Sequence, residues 1–197
     1  DYVVNCHDGV AHGELDIYGI LGMSCNGAFD TIAQTLNSTK WQKLAEDFGY
    51  NQSDRSQVDF PYKKSHFDIA SDDSVWSRMQ LAIGQGTTTV TPLLNLMIYA
   101  AIANDGVMMT PYLVDHYLDA DGNVVEQTKP KALRSVCTKA EAELMDEFLT
   151  YVITNGTAAA GGCQYARGSG KTGSAQYDST KNYHAWFCGY GTNDVSE

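Results

Sequence analysis

Lys171-Thr172-Gly173-Ser174-Ala175-Gln176 is the stretch of sequence on which the fold prediction depends. It lies on a predicted strand, residues 170–176, and it places a cation, a hydroxyl and a bare glycine backbone side by side. Such an edge suits a carboxylate and an extended peptide, because glycine lets a ligand approach the strand closely. Taken alone, the tripeptide favours an ordinary edge strand whose lysine discourages aggregation, since short motifs recur by chance.

A second polar motif, Ser24-Cys25-Asn26, stands just ahead of a predicted helix. A hydroxyl two residues from an amide can serve as a proton shuttle together with a substrate clamp. Serine and asparagine are also common helix caps, and capping is the usual explanation for such a motif. Neither motif identifies a function without the other.

The order of the two motifs and the sequence between them resemble the penicillin-binding transpeptidases, most of all the class B branch. That family carries S-x-x-K, S-x-N and K-T-G motifs in this order. Ser24-Cys25-Asn26 stands at the second and Lys171-Thr172-Gly173 at the third. Further similar segments are Gly27-Ala28-Phe29, Ile83-Gly84-Gln85-Gly86, Thr91-Pro92-Leu93, Ala103-Asn104-Asp105-Gly106, Thr110-Pro111-Tyr112-Leu113-Val114, Gly156-Thr157-Ala158 and His184-Ala185-Trp186-Phe187-Cys188-Gly189-Tyr190. The resemblance implies a fold like that of the penicillin-binding proteins and serine β-lactamases, α/β or α+β in class, with an antiparallel sheet flanked by helices beside a mainly helical lobe.

The resemblance implies three catalytic residues. Ser24 would relay a proton between the acylated serine and the leaving or incoming amine. Asn26 would hydrogen-bond the peptide amide of the substrate. Lys171 would hold positive charge near Ser24 and the substrate carboxylate.

It also implies a substrate-binding strand. The hydroxyls of Thr172 and Ser174 would contact the substrate carboxylate, and the N–H of Ser174 would be one of two oxyanion-hole donors. Gly173 would keep the strand open, and Gln176 belongs to the same substrate-binding stretch.

For the complete protein, the resemblance implies a D,D-transpeptidase of peptidoglycan synthesis that works through an acyl-enzyme. The expected donor is a stem peptide ending in D-Ala-D-Ala, which β-lactams would mimic, and a glycosyltransferase is an expected partner. The expected location is the extracytoplasmic face of the bacterial membrane, with an anchoring helix ahead of this chain. No cofactor is expected.

The S-x-x-K motif is missing. Only 23 residues precede Ser24, and no lysine has a serine three positions before it. We therefore expect a fragment cut at both ends, inactive alone. A non-catalytic pseudoenzyme, a β-lactam sensor and a serine β-lactamase remain as alternatives. The sequence upstream separates the first two from an enzyme, and rapid turnover of penicillin would indicate the last.

The pattern of apolar residues predicts a helical lobe over about residues 20–110, a hairpin with a capped helix over about 111–155, and sheet strands over about 168–192. Helices are predicted over 28–36, from a Ser38/Thr39 cap to 48, over 91–103, and from the Thr138 capping box to about 154. Hairpin strands are predicted over 112–118 and 124–127, and a last strand over 184–190. Residues 51–74 are predicted to be irregular, and Gly84-Gln85-Gly86 to be a turn before a buried helix.

Composition and charge restrict the choice of partner and cofactor. A formal net charge of -11 over 197 residues argues against nucleic acid as a partner. The five cysteines, Cys6, Cys25, Cys137, Cys163 and Cys188, and the five histidines show no zinc-site spacing, so no metal is expected. Pairing of Cys6 with Cys25 is left open, because sequence alone does not fix it.

Overall fold

The computed structural model describes residues 4–6, 9–52, 58–161, 167–177 and 182–192. Five helices come first, followed by four short strands, a long helix, a 3-10 turn and two long strands. In chain order they are α1 (Ile17–Gly22), α2 (Asn26–Thr35), α3 (Ser38–Asp47), α4 (Val75–Ala82), α5 (Pro92–Ala103), β1 (Val107–Met109), β2 (His116–Leu118), β3 (Val124–Gln127), β4 (Ala132–Ser135), α6 (Lys139–Asn155), the turn (Ala159–Gly161), β5 (Arg167–Gln176) and β6 (Tyr183–Thr192). Among these residues, none of the helices has the length and apolarity that crossing a bilayer requires.

Helix α5 packs against strand β1, strand β6 and helix α6. The Thr91 hydroxyl accepts from the Leu94 N–H (3.1 Å) and Pro92 occupies the first turn, so the helix begins where the sequence predicts. Its end packs Ala101 against Met108 and Val136, all buried, which fixes strands β1 and β4 beside it.

Strands β5 and β6 form the ladder that carries the sequence motif. They pair antiparallel over ten residues, with Lys171 opposite Cys188 and Gly173 opposite Trp186. The strands β1 and β4 form a second antiparallel pair, and β2 and β3 form the predicted hairpin. Every strand pairing among the described residues is thus antiparallel, so the predicted α+β arrangement is confirmed.

Helix α6 connects the helical part to β5. It begins with the predicted capping box, in which Thr138 and Glu141 satisfy each other's backbone groups. Buried Val152 and Ile153 near its end pack with Ala158 and with Leu21 of α1. This small core places α1, the end of α6 and the turn behind it in one region.

Several elements differ from the sequence prediction. Helix α2 begins two residues earlier, and the cap of α3 is Asn37, whose side chain accepts from the Lys40 N–H at 3.0 Å. Helices α1 and α4 and strands β1 and β4 were not predicted, because they are too short to show a period. Residues 53–57 of the predicted irregular segment and Cys163 lie outside the described residues. The division into lobes stays a prediction.

Candidate active site

The Ser24 turn is built by the end of helix α1. The Ser24 N–H donates to Leu21 O (3.1 Å) and the Cys25 N–H to Ile20 O (3.0 Å), the pair of bonds that closes a Schellman motif. The motif needs a left-handed residue, and Ser24 fills that position with φ +53°. A side chain there costs roughly 1 kcal/mol that glycine would avoid.

Capping does not explain the two polar side chains of this motif. The residue that caps α2 is Cys25, and it makes no side-chain capping bond. The Asn26 amide instead donates to Asn5 O at 3.0 Å, which ties the first residues of the chain to the motif. Among the described residues, the Ser24 hydroxyl has no hydrogen-bond partner. The helix-cap alternative is therefore wrong, and both groups remain usable for a ligand.

Lys171 is the cation of the Lys171-Thr172-Gly173 motif. Its ammonium group is half-buried and donates to Thr172 O at 2.9 Å, and it pairs with no acidic side chain in the described part of the chain. Burial lowers the pKa of this ammonium below its ordinary value, because desolvation disfavours the charged form. A half-buried cation without a counter-ion is a suitable partner for the carboxylate of a ligand.

Thr157 joins the Ser24 turn to strand β5. Its N–H donates to Gly22 O (3.0 Å), two residues before Ser24, and its hydroxyl oxygen lies 2.7 Å from that of Thr172. Gly22 and Gly156 make this possible, since a Cβ on Gly156 would lie 2.4 Å from Gly22 O. The two motifs, 147 positions apart from Ser24 to Lys171, are thus carried by segments that share one bridging residue.

The open edge of β5 presents the remaining predicted residues. The Tyr177 N–H points to the side of β6, where it donates to the O atom of Asn182 (3.2 Å), the residue before that strand. Because backbone groups alternate between the two edges of a strand, those of Ser174 and Gln176 face the opposite edge. Among the described residues, no strand pairs with that edge. Gly173 and Ser174 are both exposed.

The sequence analysis missed two residues that contact strand β5, Thr157 and Gln85. Gly156-Thr157-Ala158 contributed to the resemblance, but no role was given to Thr157. A hydroxyl between small residues directly after a long helix is the signal that marks it. Gln85, which was predicted only as part of a turn, contacts the backbone of Gln176.

Three potential metal ligands lie beside the motif, although their spacing indicated no site. The ligand atoms of Cys6, His12 and Cys25 all lie within 4.8 Å of one another. The two thiols are free and their sulfur atoms are 3.8 Å apart, so they do not form the disulfide left open above.

This cluster fits a thiophilic divalent cation such as Zn²⁺. A tetrahedron with Zn–S bonds of about 2.3 Å separates two sulfur ligands by about 3.8 Å. Within the described part of the chain, the buried Nδ1 atom of His12 has no hydrogen-bond partner, and such an atom calls for one. A bound cation would fix Cys25, which stands between Ser24 and Asn26, to the first residues of the described chain.

A second polar cluster joins helix α6 to strands β5 and β6. Asp146, about two and a half turns before the end of α6, accepts from Ser169 (2.6 Å), Tyr190 (2.7 Å) and Arg167 (2.7 Å). A cavity of about 300 Å³ opens beside it. The carboxylate is satisfied by three donors, so the cluster holds α6 against β5 and β6.

Residues 3–196 match the sequence profile of the family described as the penicillin binding protein transpeptidase domain. Peptidoglycan D,D-transpeptidase PbpA of Mycolicibacterium smegmatis is 27% identical over 172 residues, 85% of this chain and 34% of that protein. The D,D-transpeptidase domain of peptidoglycan glycosyltransferase from Eggerthella lenta superposes with a TM-score of 0.84 at 28% identity, covering 93% of this chain and 47% of that one. Penicillin-binding protein 3 from Mycobacterium tuberculosis gives 0.72 at 25% identity, covering 90% and 42%.

The chain spans about a third of the length of PbpA and less than half of either crystallised protein. The family match nevertheless extends over almost every residue, and both motifs lie inside it. The predicted penicillin-binding fold is confirmed by the superpositions. This chain belongs to the penicillin-binding protein transpeptidase domain family.

Proposed function

We propose that this chain is the part of a peptidoglycan D,D-transpeptidase that supplies the S-x-N turn and the substrate-binding strand. The observation that carries the proposal is the bridge through Thr157, which joins the Ser24 turn to Thr172. A proton-relay hydroxyl and a carboxylate-binding cation are useful to one reaction only if their segments meet. The family match supports the same proposal, since the proteins similar to this chain include a peptidoglycan D,D-transpeptidase.

The proposed reaction is acyl transfer in two steps. The serine of an S-x-x-K motif outside this chain attacks the carbonyl of the penultimate D-Ala of a stem peptide. Its ester bond forms as the peptide bond breaks, and the terminal D-Ala leaves as its amine takes a proton. The amine of a neighbouring stem then attacks the ester, forms the cross-link and releases the serine.

This chain's residues would act on both steps. Ser24 delivers the proton to the leaving amine and removes one from the attacking amine, with Lys171 keeping the relay polarised. The ammonium of Lys171 and the hydroxyls of Thr172 and Ser174 hold the terminal carboxylate. The N–H of Ser174 stabilises the oxyanion as one of two donors.

Asn26 and the end of β5 would hold the peptide part of the donor. The Asn26 amide now donates to Asn5 O, and a substrate amide would compete for it. Gly173 carries no side chain and so leaves room beside the strand for the peptide, and the exposed Gln176 side chain would border the peptide where it leaves β5.

β-Lactams are the proposed inhibitors, because they mimic the D-Ala-D-Ala end. Penicillin-binding protein 3 from M. tuberculosis, one of the structural neighbours, has been crystallised with aztreonam and with ampicillin. The proposed location is the extracytoplasmic face of the membrane, where the substrate is assembled, with a glycosyltransferase as partner. A preceding membrane anchor belongs to the same proposal.

The test is labelling of the intact protein that carries this chain with a fluorescent penicillin. We expect a covalent adduct that persists for many minutes, and a loss of labelling when Ser24 or Lys171 is replaced. An intact protein without S-x-x-K that takes no label would indicate the pseudoenzyme. Fast release of hydrolysed penicillin would indicate a β-lactamase, and a stable adduct without transpeptidation would indicate a sensor.

A further inference from the structure

The turn after helix α4 aims one side chain at the substrate-binding strand. The Gly84 N–H donates to Leu81 O (3.1 Å) and the Gln85 N–H to Gln80 O (2.8 Å), which is the same Schellman closure that shapes the Ser24 turn. Gly84 and Gly86 flank Gln85 with φ of +71° and +73°, a conformation that side chains rarely adopt. Two left-handed glycines therefore fix the direction in which Gln85 leaves the turn.

The Gln85 amide pairs with both backbone groups of Gln176. Oriented so that both atoms are satisfied, its nitrogen donates to Gln176 O (3.1 Å) and its oxygen accepts from the Gln176 N–H (3.2 Å). This is the pattern that a neighbouring strand would make, reproduced by one side chain. It occurs on the edge of β5 that faces away from β6, because Tyr177 N, one residue on, faces β6.

We propose that Gln85 is a positioning residue that ends the substrate-binding edge of β5 at Gln176. The proposal rests on the function proposed above. With both groups of Gln176 occupied, an extended ligand that pairs with Ser174 cannot continue along the strand. The donor peptide must then turn away from β5 beyond Ser174, so backbone recognition on this edge ends before Gln176.

The same contact holds the strand against the helical part. Ser174 lies two residues before Gln176 on the same edge, so movement of Gln176 displaces the proposed oxyanion donor. A displacement of about 1 Å at such a donor is enough to slow a reaction by orders of magnitude. Gln85 acts through the backbone, so its loss should change the rate of acylation more than the initial binding of ligand.

Hydrogen exchange in the intact protein tests the contact itself. Peptides covering residues 171–177 should report an amide at Gln176 that exchanges about five- to tenfold faster in Gln85→Met, which removes both bonds. Gln85→Glu keeps the acceptor and loses the donor, so the exchange rate of the Gln176 amide in this variant should lie between those of the wild type and Gln85→Met. Gln34→Met is the matched control, because the Gln34 amide donates to Asp30 O of its own helix (3.3 Å) and to no other described residue.

Acylation kinetics test the consequence. The acylation rate for a β-lactam is normalised to the fraction of protein that can be acylated. Gln85→Met should lower this rate about tenfold and change the dissociation constant of the initial complex less than threefold. Gln34→Met should match the wild type. Unchanged exchange at Gln176, or acylation of Gln85→Met at the wild-type rate, overturns the inference. If the wild type takes no β-lactam, the proposed function fails, and hydrogen exchange alone still decides whether Gln85 holds the strand.

Discussion

The hydroxyl oxygens of Thr157 and Thr172 lie 2.7 Å apart, although 15 positions separate the two residues. Thr157 follows helix α6 and Thr172 is the middle residue of Lys171-Thr172-Gly173. The same Thr157 donates its N–H to Gly22 O at the end of helix α1. One residue outside both motifs thus sets the distance between the Ser24 turn and the strand.

Replacing Thr157 by valine keeps the shape of the side chain and removes the hydroxyl. We expect the free energy of unfolding to fall by at most about 1 kcal/mol, because Thr157 is exposed and one hydrogen bond is lost. Penicillin labelling of the intact protein should slow by about fivefold to tenfold, since Thr172 loses its fixed rotamer. The control is Thr154→Val, whose hydroxyl bonds to Thr150 O and Asn155 near the end of α6. Equal labelling by both variants would contradict a positioning role.

The backbone contact between Gly22 and Gly156 gives a second prediction. A Cβ on Gly156 would lie 2.4 Å from Gly22 O and 2.9 Å from Gly22 Cα, so α1 must move away. We expect Gly156→Ala to lower the free energy of unfolding by about 2 kcal/mol or more. Gly27→Ala is the control, because a Cβ there meets nothing within 4 Å and alanine favours its helix. Chemical denaturation measures both, and equal stability of the two variants would rule out the close contact.

The sequence predicted the elements whose signals are local. Thr91-Pro92 and the Thr138 capping box each mark a helix start through bonds within four residues, and the structure has both. Strands β1 and β4 are three and four residues long and depend on packing against Ala101, a contact no local pattern contains. The residues of the candidate site show the same difference between local and distant signals. The motif residues were identified from the resemblance, whereas Thr157, Gln85 and the Cys6 cluster depend on contacts between distant segments.

Ser24 gives a prediction in which stability and activity move in opposite directions. Its φ of +53° is one that glycine adopts without steric cost. Ser24→Gly should therefore raise the free energy of unfolding by about 0.5–1 kcal/mol. Penicillin labelling should fall about a hundredfold, the range for loss of a proton-transfer group. Asp105→Gly, with the same φ of +53° outside the site, should leave labelling unchanged. Normal labelling of Ser24→Gly would exclude Ser24 from proton transfer.

The Cys6, His12 and Cys25 cluster predicts stabilisation by zinc. In the intact protein, Zn²⁺ at about a hundred times its dissociation constant should add about 2.7 kcal/mol to the free energy of unfolding, and a chelator should remove it. Co²⁺ should give thiolate charge-transfer absorption. Cys25→Ser should lose both responses and Cys137→Ser, a thiol outside the cluster, should keep them. Two missing free thiols in the absence of reductant would indicate a disulfide in place of the metal site.

The partly buried ammonium of Lys171 makes the stability of the protein depend on pH. Desolvation holds the pKa of its ammonium below the unfolded value of about 10.5. The unfolded chain therefore binds more protons between the folded pKa and about 10.5, and stability rises with pH across that window. At neutral pH the buried charge costs stability. Lys171→Met should consequently be at least as stable as the wild type near pH 7, and this advantage should shrink as the pH rises towards 10.5.

Penicillin labelling of Lys171→Met should fall, although its stability does not. Without the ammonium, the ligand carboxylate has no cation to meet in a partly desolvated site, and we expect penicillin labelling of Lys171→Met to fall a hundredfold or more, about 3 kcal/mol. Wild-type labelling should also decline as the pH rises through the folded pKa of Lys171. Lys43→Met removes an exposed lysine paired with Asp47, so it should change stability by no more than about 0.5 kcal/mol and leave labelling intact. Wild-type labelling by Lys171→Met would mean that another group holds the carboxylate, because a half-buried methionine cannot replace the charge.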